Sequence, residues 1–230
     1  MLAEVFAGLA ELRELAAALP RSAGAEQRAP TTEDLATLRP AVLRRLDESA
    51  GLLAGTGVIA APGALADRPR WLEWWRRPRG SDEPCPLRVE LEPGGVGTYE
   101  YPAAEWFDVP CRTGRRVVAG PYVDYAGTDE YLLTFAVPVQ SDGGFFGVAA
   151  ADVRTSDLER AVLPLLESEG GPMLLVNASG RVVASNTPEA ISGSLAPAAP
   201  SAGAGDPPPR LPVGSALPDC AGLPWALVRI

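Results

Sequence analysis

Two aspartates and a run of aromatic rings set the chemistry this chain could perform. Asp124 follows the turn Gly120-Pro121-Tyr122, and Asp152 ends the apolar run FFGVAAAD. A carboxylate at the end of a buried strand has to reach water or find a cationic or hydrogen-bonding partner, because an unpaired buried charge is costly. Tyr99, Tyr101, Trp106, Phe107, Tyr122 and Tyr125 crowd the same stretch. Ring faces attract ammonium groups and carboxylates neutralise them, so two acids beside an aromatic wall describe a pocket for a small cation. Plainer alternatives stand beside it: rings that only pack a core, Asp124 as a turn residue bonding locally, and Asp152 as a cap on a helix starting near Thr155.

The elements that must position these groups lie between Tyr99 and Asp152, a stretch with five strand-like runs separated by turn signals. Val117–Ala119, Tyr131–Val139 and Phe145–Val153 are rich in β-branched and aromatic residues. The breaks between them are Gly-Pro, Gly-Thr-Asp and Ser-Asp-Gly-Gly, so antiparallel hairpins are expected. Upstream, the apolar residues of Leu2–Leu19 recur at three and four, which predicts an amphipathic helix stopped by Pro20. Thr31 and Asp34 form a capping-box variant ahead of a second helix, Thr32–Ser49, which Pro40 should kink or split. Leu52–Ala61 and Leu87–Leu91 read as strands. Trp71, Trp74 and Trp75 stand at i, i+3 and i+4, which predicts indoles on one face of a short helix.

Downstream, Thr155-Ser156-Asp157 caps a predicted helix from Leu158 to Glu167, ended by Gly170-Gly171. Strands Met173–Val176 and Arg181–Ser185 flank the turn Asn177–Gly180, and Leu223–Ile230 reads as a closing strand. The run Ser192–Pro209 is rich in Ala, Pro, Gly and Ser and is expected to form a mobile loop. This part of the chain has few polar residues at strand ends, so no ligand is assigned to it.

Composition excludes several classes. The chain has 230 residues, 47% of them hydrophobic, enough for a sizeable core. A net charge of −9 argues against direct nucleic-acid binding, which needs a Lys/Arg surface. There is no His, so a Ser-His-Asp or Cys-His constellation is impossible. Cys85, Cys111 and Cys220 are odd in number and lack C-x-x-C spacing, which suggests neither a disulfide framework nor a zinc site. No cofactor and no enzymatic activity are expected. The sequence holds no apolar run long enough for a membrane helix and no signal-peptide pattern, so a cytoplasmic location is expected, with an excised extracytoplasmic sensor domain as the alternative.

The pattern PYVD, YLLTFAVPV, GVAAADV and, about twenty residues on, LLVNASGRVVASN resembles the double Cache sensory domain, a PAS-like ligand-binding module of bacterial chemoreceptors, sensor kinases and some transcriptional regulators. The resemblance implies an α+β fold: an N-terminal helical region, 1–52, then two PAS-like modules, each an antiparallel sheet with flanking helices, at 53–157 and 158–230. The chain is similar in a more pointed way to the amine- and amino-acid-binding subgroup. That subgroup's motif is a Tyr, an Arg five residues on, then Trp and an aromatic, a Tyr-x-Asp after the Gly-Pro turn, and a final Asp. Tyr99, Trp106, Phe107, Tyr122, Asp124 and Asp152 fall on those positions, but Ala104 occupies the Arg position. In amino-acid binders the Arg fork holds the ligand carboxylate, and the Tyr and Asp groups hold the ammonium.

The resemblance therefore implies a sensory domain that binds a small amine in its first module. An amino acid or small carboxylate met by Arg70, Arg112, Arg115 or Arg116 is the alternative, and a dimerisation domain with a vestigial pocket is another. It also implies a homodimer through the N-terminal helices. The output, a transcriptional or other signalling partner, lies beyond these residues.

Overall fold

Residues 1–95, 97–197 and 223–230 are described in the computed structural model. They group into two units, Ala3–Ala119 with Val123–Arg154, and Gly120–Tyr122 with Thr155 onward. The expectation for Ser192–Pro209 falls mostly outside the described residues, as does Cys220.

The apolar stripe at the start of the chain forms α1, Leu2–Ala25. It runs through Pro20 instead of stopping there. Proline removes one helical hydrogen bond, but the following turn buries Ala23, and that packing carries the helix on. The second predicted helix is split as its proline suggests, into α2, Thr32–Ala36, and α3, Arg39–Glu48, with Pro40 in the first turn of α3. The capping box of α2 is closed in both directions between Thr31 and Asp34.

Then come β1, Leu53–Ala60; β2, Leu72–Arg76; and β3, Cys85–Pro86. Here two expectations fail. The tryptophan segment is a strand, with Trp74 opposite Gly57 and Trp75 opposite Thr56 on β1. Aromatic residues suit strands, and in so short a run a three-four spacing does not exclude a period of two. The segment 87–91 is not a strand either. After β3 the chain leaves the ladder, and the Glu90 carbonyl accepts from the Tyr99 N–H at 2.7 Å.

The central stretch yields three strands rather than five: β4, Val117–Val123; β5, Tyr131–Ser141; and β6, Gly144–Arg154. Before them stand a 3-10 turn, Tyr101–Ala103, and α4, Glu105–Thr113. Glu105 and Asp108 sit in the first turn of α4, and Gly114 closes it at φ 65°, where a side chain would be strained. The six strands form one sheet in the order β3-β2-β1-β6-β5-β4, with antiparallel pairing of β1 to β2 and β6, and of β5 to β6.

In the second unit, α5 spans Thr155–Ser168 and starts three residues earlier than expected, directly after β6. Asp152 therefore lies inside β6 and is not a helix cap. Strands β7, Met173–Val176; β8, Val182–Ser185; and β9, Ala226–Arg229 form a three-stranded antiparallel sheet with β7 in the middle. The Asn177 side chain ties the β7–β8 turn by accepting from the N–H groups of Ser179 and Arg181. Leu174, Val176, Val182, Ala190 and Val228 form a core of this unit.

Candidate functional site

Strand pairing decides which side chains share a face of the larger sheet. Asp152 on β6 stands opposite Gly55 on β1 and Thr134 on β5, and Gly57 on β1 stands opposite Trp74 on β2. Cross-strand partners point the same way, so Asp152, Thr134 and Trp74 rise from one face around two glycines. The other face carries Phe135, which meets Phe6 of α1 edge-on at 5.5 Å.

Asp152 is 7% exposed, and Thr134 Oγ1 donates to its Oδ1 at 2.7 Å. Its pKa is pushed up to about 7, first by burial. The Thr134 bond opposes this, the negative charges of Asp124 and Glu130 add to it, and Arg154 opposes it.

Asp124 follows β4 and is also 7% exposed. Its Oδ2 accepts from the Thr128 backbone N–H at 3.0 Å and from the Thr128 hydroxyl at 3.1 Å. The turn is so tight that a Cβ at Gly127 would fall 2.2 Å from that oxygen. The local-turn alternative thus holds for part of this carboxylate. Tyr99 supplies a further side-chain hydrogen bond to it. Burial raises the Asp124 pKa, and the Thr128 and Tyr99 bonds pull against that rise.

The rings behind Tyr99 form a chain of contacts. Tyr99 meets Trp106 at 6.5 Å between centroids, Trp106 meets Phe107 edge-on at 6.1 Å, and Phe107 meets Tyr101 at 5.1 Å and Phe145 at 5.5 Å. Tyr101 is a packing post: its hydroxyl donates to the Ala60 carbonyl at 2.8 Å. Tyr125, 81% exposed, stands outside the cluster. Tyr122 is half-buried on β4 within Gly120–Tyr122, the stretch that groups with the second unit. The sequence-predicted residues gathered in the first unit are therefore Tyr99, Trp106, Phe107, Asp124 and Asp152.

Ala104 is the residue before α4, half-buried, and its carbonyl receives the N–H groups of Phe107 and Asp108. Of the alternative cations, Arg112 is exposed and paired with Asp108 at 2.8 Å, Arg115 is exposed, and the Arg116 guanidinium stands 4.5 Å over the Phe6 ring. Arg70 forks onto Glu100 at 3.1 Å and stands 5.9 Å over the Tyr101 ring, next to the aromatic chain.

Sequence reasoning missed Thr134 and the ion pair between Arg154 and Glu130, and it singled out Trp74 only as part of a helix face. Arg154 is 7% exposed, bonds both Glu130 oxygens and donates to the Arg77 carbonyl at 2.7 Å. The available signal was a polar residue within each apolar strand, Thr134 in LLTFAV and Arg154 after GVAAADV. A cleft of about 410 Å3 lies along β2 and the following segment, lined by Arg39, Glu73, Trp74, Trp75 and Arg88 among others; of the sequence-predicted site residues Tyr99, Trp106, Phe107, Tyr122, Asp124 and Asp152, none borders it.

Residues 88–160, about a third of the chain, match the family model described as "Methyl-accepting chemotaxis protein-like, first PDC sensor domain". Among solved structures, Methyl-accepting Chemotaxis protein X superposes with a TM-score of 0.57 at 20% identity, over 82% of this chain and 69% of that one. A domain described as the extracellular part of a histidine kinase, mmHK1S-Z3, gives 0.55 at 18% identity, over 80% of this chain and 64% of that one. The ligand-binding domain of the Pseudomonas fluorescens chemoreceptor CtaA, solved in complex with L-serine, gives 0.53 at 14% identity, over 84% and 69%. The chain thus spans about two-thirds of the length of these relatives. Its fold is the α+β, PAS-like fold of Cache/PDC-type sensor domains, and its central segment matches the first PDC unit of chemotaxis receptors.

Proposed function

We propose that the first unit is the ligand-binding module of a bacterial sensory protein and that its ligand is a small amine. The observation that carries this reading is the pair of acids, Asp124 and Asp152, each 7% exposed and both in the first unit, in a chain with alanine at position 104. An ammonium group between them would offset one of the two negative charges, donate to both carboxylates, and draw the Asp152 proton off. Tyr99, Trp106 and Phe107 flank the carbon skeleton. The N-terminal helix packs through Phe6 on the other face of the same sheet. A ligand that favours one packing of that helix would shift a population, and that shift is the signal. The protein works as a homodimer through its N-terminal helices, with its output in another domain or partner; of the cytoplasmic and the extracytoplasmic placements, the neighbour described as an extracellular domain favours the second. It is a binding module and not an enzyme.

A second reading, an amino acid or small carboxylate as ligand, is favoured by Arg70, whose side chain is 13% exposed and stands over Tyr101. The neighbour solved with L-serine points the same way. A thermal-shift panel of amines, amino acids and carboxylates separates the two. Amines raise the melting temperature of the wild type and not of Asp124→Ala if the first reading holds. A response to amino acids or organic acids alone, lost in Arg70→Ala and kept in Asp124→Ala, replaces it with the second.

A further inference from the structure

The strand β2 contributes a polar group that none of the predicted site residues accounts for. Trp74 is 6% exposed, and its Nε1–H is buried with no hydrogen-bond partner among the described residues. The indole lies over Gly55, the residue paired with Asp152: a Cβ built on Gly55 would meet Trp74 Nε1 at 2.7 Å. Glycine at 55 is what lets the ring lie there, and the ring brings its N–H to the same sheet face as Asp152 and Thr134. By contrast, the neighbouring Trp75 on the opposite face spends its Nε1–H on Glu73 at 2.7 Å. A buried donor without an acceptor is unfavourable, and native structures keep few of them unless something else supplies the acceptor.

We propose that the Trp74 indole N–H is a specificity contact for an uncharged oxygen of the ligand, so that the bound amine carries a hydroxyl or a comparable neutral acceptor and not a bare hydrocarbon tail. This rests on the amine reading of the same site. Two features point to a neutral oxygen rather than a carboxylate. One neutral N–H satisfies one hydroxyl acceptor, and a carboxylate beside two buried acids would face like-charge repulsion with alanine at the position where the resembling subgroup carries its arginine. The hydroxyl's own proton has an acceptor on the same sheet face in the Asp152 carboxylate.

The test is isothermal titration at pH 8 of the purified protein and Trp74→Phe with three matched probes: 2-aminoethanol, propylamine and glycine. Propylamine replaces the hydroxyl by a methyl group of similar size. The expected result is that the wild type prefers 2-aminoethanol to propylamine by about tenfold and that Trp74→Phe removes the preference with little change for propylamine. Should Trp74→Phe melt early, the wild type alone decides, through its indole 15N–1H spectrum: one buried indole resonance moves downfield with 2-aminoethanol and stays with propylamine. A preference that survives in Trp74→Phe, or equal binding of the two amines, overturns this assignment and leaves the amine site standing. Tighter binding of glycine that depends on Trp74 overturns it in favour of a carboxylate. If none of the probes and no other amine binds, the amine reading falls and this contact with it.

Discussion

The two units bury polar side chains unequally: the second buries Thr155, and the first buries more of them. In the first, Thr56, Glu73, Asp124, Thr134, Asp152 and Arg154 are all buried within or beside a six-stranded sheet. The described core cluster of the second, Leu174, Val176, Val182, Ala190 and Val228, is apolar throughout. A polar group in a core costs stability unless it is satisfied, and Asp152, whose pKa has risen to about 7, is only partly satisfied by Thr134. A small unit can be held by aliphatic packing alone. A unit that buries acids where valine or leucine would be more stable gives up stability, and under the proposed function it does so for a ligand.

The comparison is broken or sharpened by substitutions in each unit. The largest effect is expected at the acids: Asp124→Ala or Asp152→Ala weakens amine binding by about 3 to 5 kcal/mol, read by titration calorimetry. Amine affinity that both variants retain would put the site elsewhere. Next comes Leu174→Ala, which removes a fully buried side chain of the second core and lowers that unit's stability by about 2 to 5 kcal/mol in a denaturant melt. Amine affinity should not move, because the acids lie in the other unit.

The pH dependence has two opposite signs. Asp152 binds its proton more tightly in the folded chain than in the unfolded one. Its contribution to stability is therefore fully present below the ordinary aspartate range and is lost as pH rises through about 7. A cationic ligand needs the ionised form, so amine affinity falls about tenfold per pH unit below that point. Melting temperature and affinity measured across pH 5 to 8 (about that range) should cross, and Asp152→Asn should flatten both. The smallest effect is at Thr134→Val. Losing its bond to Asp152 costs about 1 kcal/mol and moves the midpoint of the affinity profile upward, because the bond holds the ionised form.

Much of the fold was legible because it is local. The hydrophobic stripe of α1, the Thr31–Asp34 box, the split at Pro40 and the β5–β6 hairpin are each written within a few residues of themselves. The tryptophan strand was misread because Trp71, Trp74 and Trp75 fit a helix face, and only pairing with Gly57 and Thr56 on β1 decides otherwise. Helix α4 was passed over because its aromatic residues and Pro110 look like strand and turn, although Gly114 marks its end. At the site, Asp124 and Asp152 were visible as acids out of place. Thr134 was not, because its place arises from register: one shifted residue in β5 would turn it to the other face, and Trp74 was read on a helix face although it pairs with Gly57 on a strand. Arg154 likewise needed Glu130, 24 positions away, to explain how a guanidinium beside the acids is bound by its own carboxylate and offsets only part of the rise in the Asp152 pKa.

The most direct measurement is the number of protons exchanged when a short primary amine binds at pH 7, obtained by titration calorimetry in buffers of different ionisation enthalpy. Because Asp152 titrates at about 7, a bound ammonium should force its remaining protonated fraction to ionise, releasing roughly half a proton per site from the wild type and none from Asp152→Asn. Amine binding with no proton release, or with equal release from Asp152→Asn, would contradict the placement of the ammonium between Asp124 and Asp152.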